Sequence, residues 1–172
     1  FETGCVAHVS MAEPVCRRLA GLVADAVESA GAPVSRGGTY LAMEGPQFSS
    51  KAESALYRSW GCDVIGMTNM PEARLAREAE LPYASICMVT DYDSWKEGEA
   101  AVDVPAVLAV MRQNADLARK SIARLAEMMN HVARTPSPQG IETGLDTAII
   151  TPPEARDKVL VARLKAIAGR VL

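Results

Sequence analysis

The chain has 172 residues, 49% of them hydrophobic and 23% charged, which is the balance of one folded globular domain or part of one. Its formal charge of −3 disfavours a protein that grips nucleic acid by neutralising phosphates, and no apolar run reaches the roughly 18–20 residues needed to cross a bilayer. Cys5, Cys16, Cys62 and Cys87 match no CxxC metal spacing and are expected as reduced, mostly buried thiols of a cytoplasmic protein.

The chain opens on Phe1, with no initiator methionine, basic leader or signal peptide, and is expected to begin partway through a longer polypeptide. Val15, Leu19, Leu22, Val23, Ala26 and Val27 recur at three- and four-residue spacing, so residues 13–30 read as a helix that Gly31 stops. Thr39 to Glu44 is an apolar run suited to a strand, bounded by Gly37-Gly38 and Gly45-Pro46. Ser50-Lys-Ala-Glu53 is a capping box that opens a helix ended by Gly61. Cys62 to Thr68 reads as a second buried strand. Pro71 then suits the first turn of a helix ending near Leu81-Pro82, and Tyr83 to Thr90 is a third apolar, strand-like run.

A polar loop, Asp91 to Asp103, follows. Asp103 is placed to cap a long amphipathic helix carrying Val104, Val107, Leu108, Met111, Ala115, Ala118, Ile122 and Leu125. Residues 134–146 are rich in Pro, Gly, Ser and Thr and read as a loop, and Pro152 to Leu172 reads as a final helix. Strands alternating with helices, each strand a near-continuous apolar run, predict an α/β fold: a mixed central sheet with helices on both faces. Ligands in such folds collect past the carboxyl ends of the strands. That brings forward 44–50, 67–71 and 90–93.

Those stretches carry a resemblance. Residues 44–53, Glu-Gly-Pro-Gln-Phe-Ser-Ser-Lys-Ala-Glu, resemble the EGPxFSSxAES segment of the trimeric purine nucleoside phosphorylase family. Residues 60–72, Trp-Gly-Cys-Asp-Val-Ile-Gly-Met-Thr-Asn-Met-Pro-Glu, are similar to its WGADVIxMTxxPE segment. Residues 83–97 are similar to the segment of its S-methyl-5′-thioadenosine phosphorylase branch, and Met11-Ala-Glu-Pro14 adds a fourth match. The matches run in order from about residue 4 to residue 130. The family's glycine-rich phosphate loop and its arginine–histidine pair have no counterpart here. The chain therefore looks like the carboxyl-terminal portion of a single nucleoside phosphorylase domain, with the amino-terminal segment as an expected partner.

The resemblance implies phosphorolysis: inorganic phosphate attacks C1′, the purine leaves, and no metal or other cofactor takes part. In that reading Phe48 walls the base or sugar, and the alternative is a core phenylalanine. Ser49 contacts the base or serves the adjoining helix start. Met67 borders the ribose, with ordinary core packing as the alternative, and Ile65 is expected among the substrate-binding residues. The Thr68 hydroxyl contacts phosphate or merely ends a strand.

Asp91 is the residue that discriminates most. Ionised, its carboxyl accepts from the 6-amino group of adenine; protonated, it donates to N7. The 6-oxopurine branch usually carries asparagine at this point, so Asp91 favours adenine. Asp93 belongs to the same loop, and either of the two carboxyls is a candidate proton donor. The alternatives are a solvated acidic turn or a D-x-D metal site, and for the latter no histidine or third carboxylate is placed to complete the set. Val104, Val107 and Leu108 would line an apolar 5′-methylthio pocket, or else belong to ordinary core. By its spacing before Met11, His8 resembles a histidine that reaches the 5′ pocket of a neighbouring subunit, which implies a homotrimer.

The expected substrate is S-methyl-5′-thioadenosine, giving adenine and 5-methylthioribose 1-phosphate. A phosphorylase of 6-oxopurine nucleosides and a non-catalytic purine-binding segment are the alternatives.

Overall fold

The computed structural model describes residues 1–96 and 104–172. Asp103, expected as a helix cap, and the end of the loop expected over 91–103 lie outside the described residues.

The first helix, α1, spans Arg17–Ser29 and starts later than its apolar spacing suggests. The preceding residues are committed elsewhere. The Cys16 amide donates to the Tyr83 carbonyl at 2.7 Å, and the Glu13 carbonyl accepts from the Arg77 guanidinium. Gly31 ends the helix region with φ +89°, a conformation that favours glycine.

Strand β1, Tyr40–Ala42, and strand β2, Val64–Gly66, pair in parallel, with Tyr40 opposite Val64 and Ala42 opposite Gly66. Helix α2, Lys51–Ser59, connects them, so the three form a βαβ unit. The expected capping box is present: the Ser50 hydroxyl accepts from the Glu53 amide, while the Glu53 carboxylate accepts from the Ser50 amide and hydroxyl. Those two donors hold the Glu53 carboxyl below its usual range.

Helix α3, Asn69–Glu78, carries Pro71 in its first turn, as expected. It ends before Glu80, whose φ is +55°, while the Leu81 amide turns back to the Ala76 carbonyl at 2.9 Å.

The strand expected over Tyr83–Thr90 is a correction. The run carries no ladder, although exposure alternates from Ser85 to Thr90 with the period-two signature of an extended chain. A strand is defined by a hydrogen-bonded neighbour, and among the described residues the sheet consists of β1 and β2 alone.

Helix α4 spans Val104–Met129. Its inward side carries Val107, Val110, Leu117, Ser121 and Leu125, while Val104, Leu108, Met111 and Ile122 of the expected apolar stripe face outward. Residues 134–146 form a packed loop with a 3-10 turn at Ile141–Thr143. Helix α5 spans Lys158–Ala168, shorter than the helix expected over 152–172. Pro153 opens a separate 3-10 turn, and Asp157 then caps α5 by accepting from the Leu160 amide at 2.8 Å.

The residues group into two compact units. One comprises Phe1–Ala20, Pro71–Ala84 and Arg134–Leu172. Its core joins Cys5, Leu160 and Leu164, and a second cluster joins Leu145, Ala148 and Ala168. The other comprises Gly21–Met70 and Ser85–Ala133 and holds the βαβ unit and α4. All four cysteines are free thiols; Cys5 and Cys16 are buried, whereas Cys62 is half-buried and Cys87 exposed.

Candidate active site

The carboxyl ends of β1 and β2 and the run that follows Thr90 lie in one unit, and ten of the eleven sequence-predicted site residues belong to it. Past β1, the Met43 amide still pairs with the Gly66 carbonyl at 2.9 Å. The chain then turns through Gly45, φ +72°, where a β-carbon would stand 2.6 Å from the Met67 sulphur. Glycine is what lets the segment leading to Phe48 approach Met67. Phe48 itself is 47% exposed, so its ring is presented to solvent and packs in no core.

Ser49 is buried, with its hydroxyl 3.8 Å from the Met43 sulphur. Its carbonyl accepts from the Ser94 hydroxyl at 2.8 Å. That bond ties the acidic turn after the third apolar run to the start of α2. Within the turn, the Lys96 amide donates to the Asp93 carbonyl at 3.2 Å. The Tyr92 and Trp95 rings pack edge to face at 5.7 Å. Asp91 is exposed and accepts from the Thr90 hydroxyl at 2.7 Å.

Asp93 is half-buried and shares a hollow of about 50 Å³ with Ile65, Leu41, Ser54, Arg58 and Trp95. That volume holds water, not a purine, since ligand pockets run to roughly 300 Å³ or more. Asp93 and Ile65 are therefore brought together there, while Phe48, Met67, Thr68 and Asp91 do not line it. Thr68, between β2 and α3, is exposed, which suits a hydroxyl kept for a ligand. Val104 and Leu108, on the first turns of α4, are 57% and 45% exposed, and Val107 beside them is half-buried. His8 lies in the other unit, exposed, with its amide donating to the Ala148 carbonyl at 2.9 Å.

Sequence reasoning passed over Ser94, Trp95 and Arg58. The scarcity of aromatic residues was the available signal: Trp95 is one of two tryptophans in the chain and sits in the same turn as both aspartates. Among the described residues no group of three or more His, Cys, Asp and Glu side chains is placed to hold a metal ion, and no helix is long and apolar enough to cross a membrane.

In α/β scaffolds ligands collect past the carboxyl ends of the parallel strands, which is where the chain places Met67 and Thr68. Residues 1–129 match the phosphorylase superfamily model, and the chain belongs to that superfamily. It is 56% identical over 172 residues to the S-methyl-5′-thioadenosine phosphorylase of Cereibacter sphaeroides and 54% identical over 172 residues to that of Bradyrhizobium diazoefficiens. Each alignment covers 100% of this chain and 59% of the relative, so the chain spans about three fifths of their length. Among solved structures, a methylthioadenosine phosphorylase sourced from an antarctic soil metagenomic library superimposes with a TM-score of 0.85 at 40% identity, over 97% of this chain and 58% of that one. The methylthioadenosine phosphorylase of Schistosoma mansoni in complex with adenine gives 0.76 at 30% identity, over 85% of this chain and 57% of that one. The fold is thus that of the nucleoside phosphorylases, in part.

Proposed function

We propose that this chain is the base- and sugar-binding portion of an enzyme that cleaves S-methyl-5′-thioadenosine with inorganic phosphate. A phosphate oxygen attacks C1′ and the C1′–N9 bond breaks, its electron pair leaving with the purine. A proton supplied to the base gives adenine, and the sugar departs as 5-methylthioribose 1-phosphate. Catalysis needs an anion held below the sugar and a donor at the base, where charge develops in the transition state. The identity of 56% across the whole chain to a protein of that activity is the observation that carries the reading.

In this assignment Asp91 and Asp93 recognise and protonate adenine. Phe48 and Ser49 flank the base, while Ile65 and Met67 border the ribose. Thr68 donates to phosphate. Val104, Val107 and Leu108 shelter the methylthio group, and their exposed or half-buried apolar side chains support this. His8 serves the 5′ pocket of a neighbouring subunit in a homotrimer. The remaining phosphate contacts come from an amino-terminal segment of the same protein, phosphate is the only co-substrate, and the enzyme works in the cytoplasm.

The test is phosphate-dependent release of adenine by the full-length polypeptide, compared with turnover of inosine. Cleavage of methylthioadenosine with little action on inosine is expected. A strong preference for inosine would transfer the assignment to 6-oxopurine nucleosides, and adenine binding without phosphate-dependent cleavage would make the protein a binding module.

A further inference from the structure

Asp93 is flanked in the chain by two aromatic residues that pack on each other, and one of them is gripped from outside the turn. The Arg58 guanidinium lies over the Trp95 ring, 3.8 Å from its centroid, and both line the same hollow as Asp93. Trp95 in turn meets Tyr92 edge to face, and the Lys96 ammonium sits 3.4 Å from the centroid of the Tyr92 ring. The turn is therefore a self-packed unit: Tyr92 precedes Asp93, Trp95 follows it, and the Asp93 carbonyl closes the loop with the Lys96 amide.

Two contacts attach this unit to α2. Ser94 donates to the Ser49 carbonyl, next to the capping box that starts the helix. Arg58 in the last turn of α2 stacks on Trp95. Ser54, Tyr57 and Arg58 stand three and four residues apart, on one helix face, and all three line the hollow. Ser54 is 1% exposed and, among the described residues, its hydroxyl has no partner, so it does not tie the turn to α2. A hydrogen bond at one end of α2 anchors the middle of the turn. The planar guanidinium at the other end fixes its rotation, because a flat cation over an indole face restrains tilt as well as distance.

Resting on the phosphorolytic reading above, we propose that Arg58 is a positioning residue. It orients the acidic turn through Trp95 and thereby sets the Asp93 carboxyl against the purine, without touching substrate. Misplacing a catalytic group by an ångström costs on the order of 100-fold. Arg58→Gln keeps a polar but shorter, uncharged side chain and loses the cation–ring stack.

The experiment uses the full-length enzyme. Arg58→Gln is expected to lower kcat for methylthioadenosine by about 10- to 100-fold while the KM for phosphate stays within about twofold, since the phosphate side does not depend on this turn. Arg58→Lys, which keeps the charge over the ring, recovers part of the loss. Trp95→Leu reproduces the defect, and adding Arg58→Gln to it lowers kcat no further, because one residue acts through the other. Turnover of Arg58→Gln within twofold of wild type, or additive losses in the double variant, overturns the proposal. So does a defect shared equally by kcat and both KM values, which marks general loosening. If Arg58→Gln does not fold, the pair Arg58→Lys and Trp95→Phe is taken through the same cycle, with additivity again the adverse result. Wild-type enzyme that fails to cleave methylthioadenosine sinks the functional reading itself, and the role of Arg58 with it; active wild type with an indifferent Arg58 sinks only the latter.

Discussion

At the scale of single residues, the sharpest consequence concerns Asp91. An ionised carboxylate accepts from an exocyclic amine and repels a carbonyl oxygen, whereas an asparagine amide donates to that oxygen. Asp91→Asn is expected to raise the ratio of inosine to methylthioadenosine turnover by about tenfold or more, the size of one hydrogen bond matched rather than mismatched in a closed site. Unchanged selectivity would remove Asp91 from base recognition. A second residue-scale prediction concerns Glu142, whose carboxyl stands below its ordinary value of 4.5. Partial burial works against that shift. The Ser137 hydroxyl and amide overcome it, with Arg18 contributing through its charge. A carboxyl depressed in the folded state contributes stability above its unfolded value, and the contribution is lost as pH falls through the folded value. Melting temperature measured from pH 6 down to pH 3 should therefore fall less steeply in Glu142→Gln than in wild type; parallel profiles would contradict this. The aspartates, Phe48 and Met67 stand out in the sequence as candidates because they sit in contiguous motifs. Arg58 and Ser137 were not, since each acts through a partner that chain order does not reveal.

At the scale of elements, local chemistry was the most readable layer. The Ser50–Glu53 capping box and the Pro71 helix start both stand where the sequence puts them, because each is decided by residues within one turn. Ladder pairing was less readable. Tyr83–Thr90 has strand composition and strand-like alternation yet no ladder neighbour among the described residues, and alternation cannot report who pairs with whom. Between β1 and β2 the pairing depends on one glycine. The Tyr40 phenol lies across Gly66, where a β-carbon would overlap it. Gly66→Ala should displace Tyr40 and destabilise the βαβ unit by about 1–3 kcal/mol, the usual penalty for overpacking. Denaturant titration checks it, and a loss below about 0.5 kcal/mol would mean that the phenol moves aside freely.

At the scale of the whole molecule, the amphipathic reading of α4 identified an apolar stripe but not the side that is covered. Val104, Leu108, Met111, Ile122 and Met129 are separated by alternating four- and three-residue steps or by sums of such steps, the period of a seam made for packing, and all are exposed. Ile122 alone is 60% exposed, and Val89 on the extended run is 65% exposed. Apolar surface on this scale drives association of a polypeptide that has nothing else to cover it. Residues 1–172, produced as an isolated polypeptide, are therefore expected to self-associate and to bind a hydrophobic dye. Met111→Gln with Ile122→Gln, two positions outside the proposed site, should reduce both effects while leaving helical circular dichroism unchanged. Light scattering before and after the double substitution decides the matter. A monodisperse wild-type segment with no dye binding would show that the stripe is tolerated in water. Loss of helix in the variant would show instead that these side chains support α4 from within.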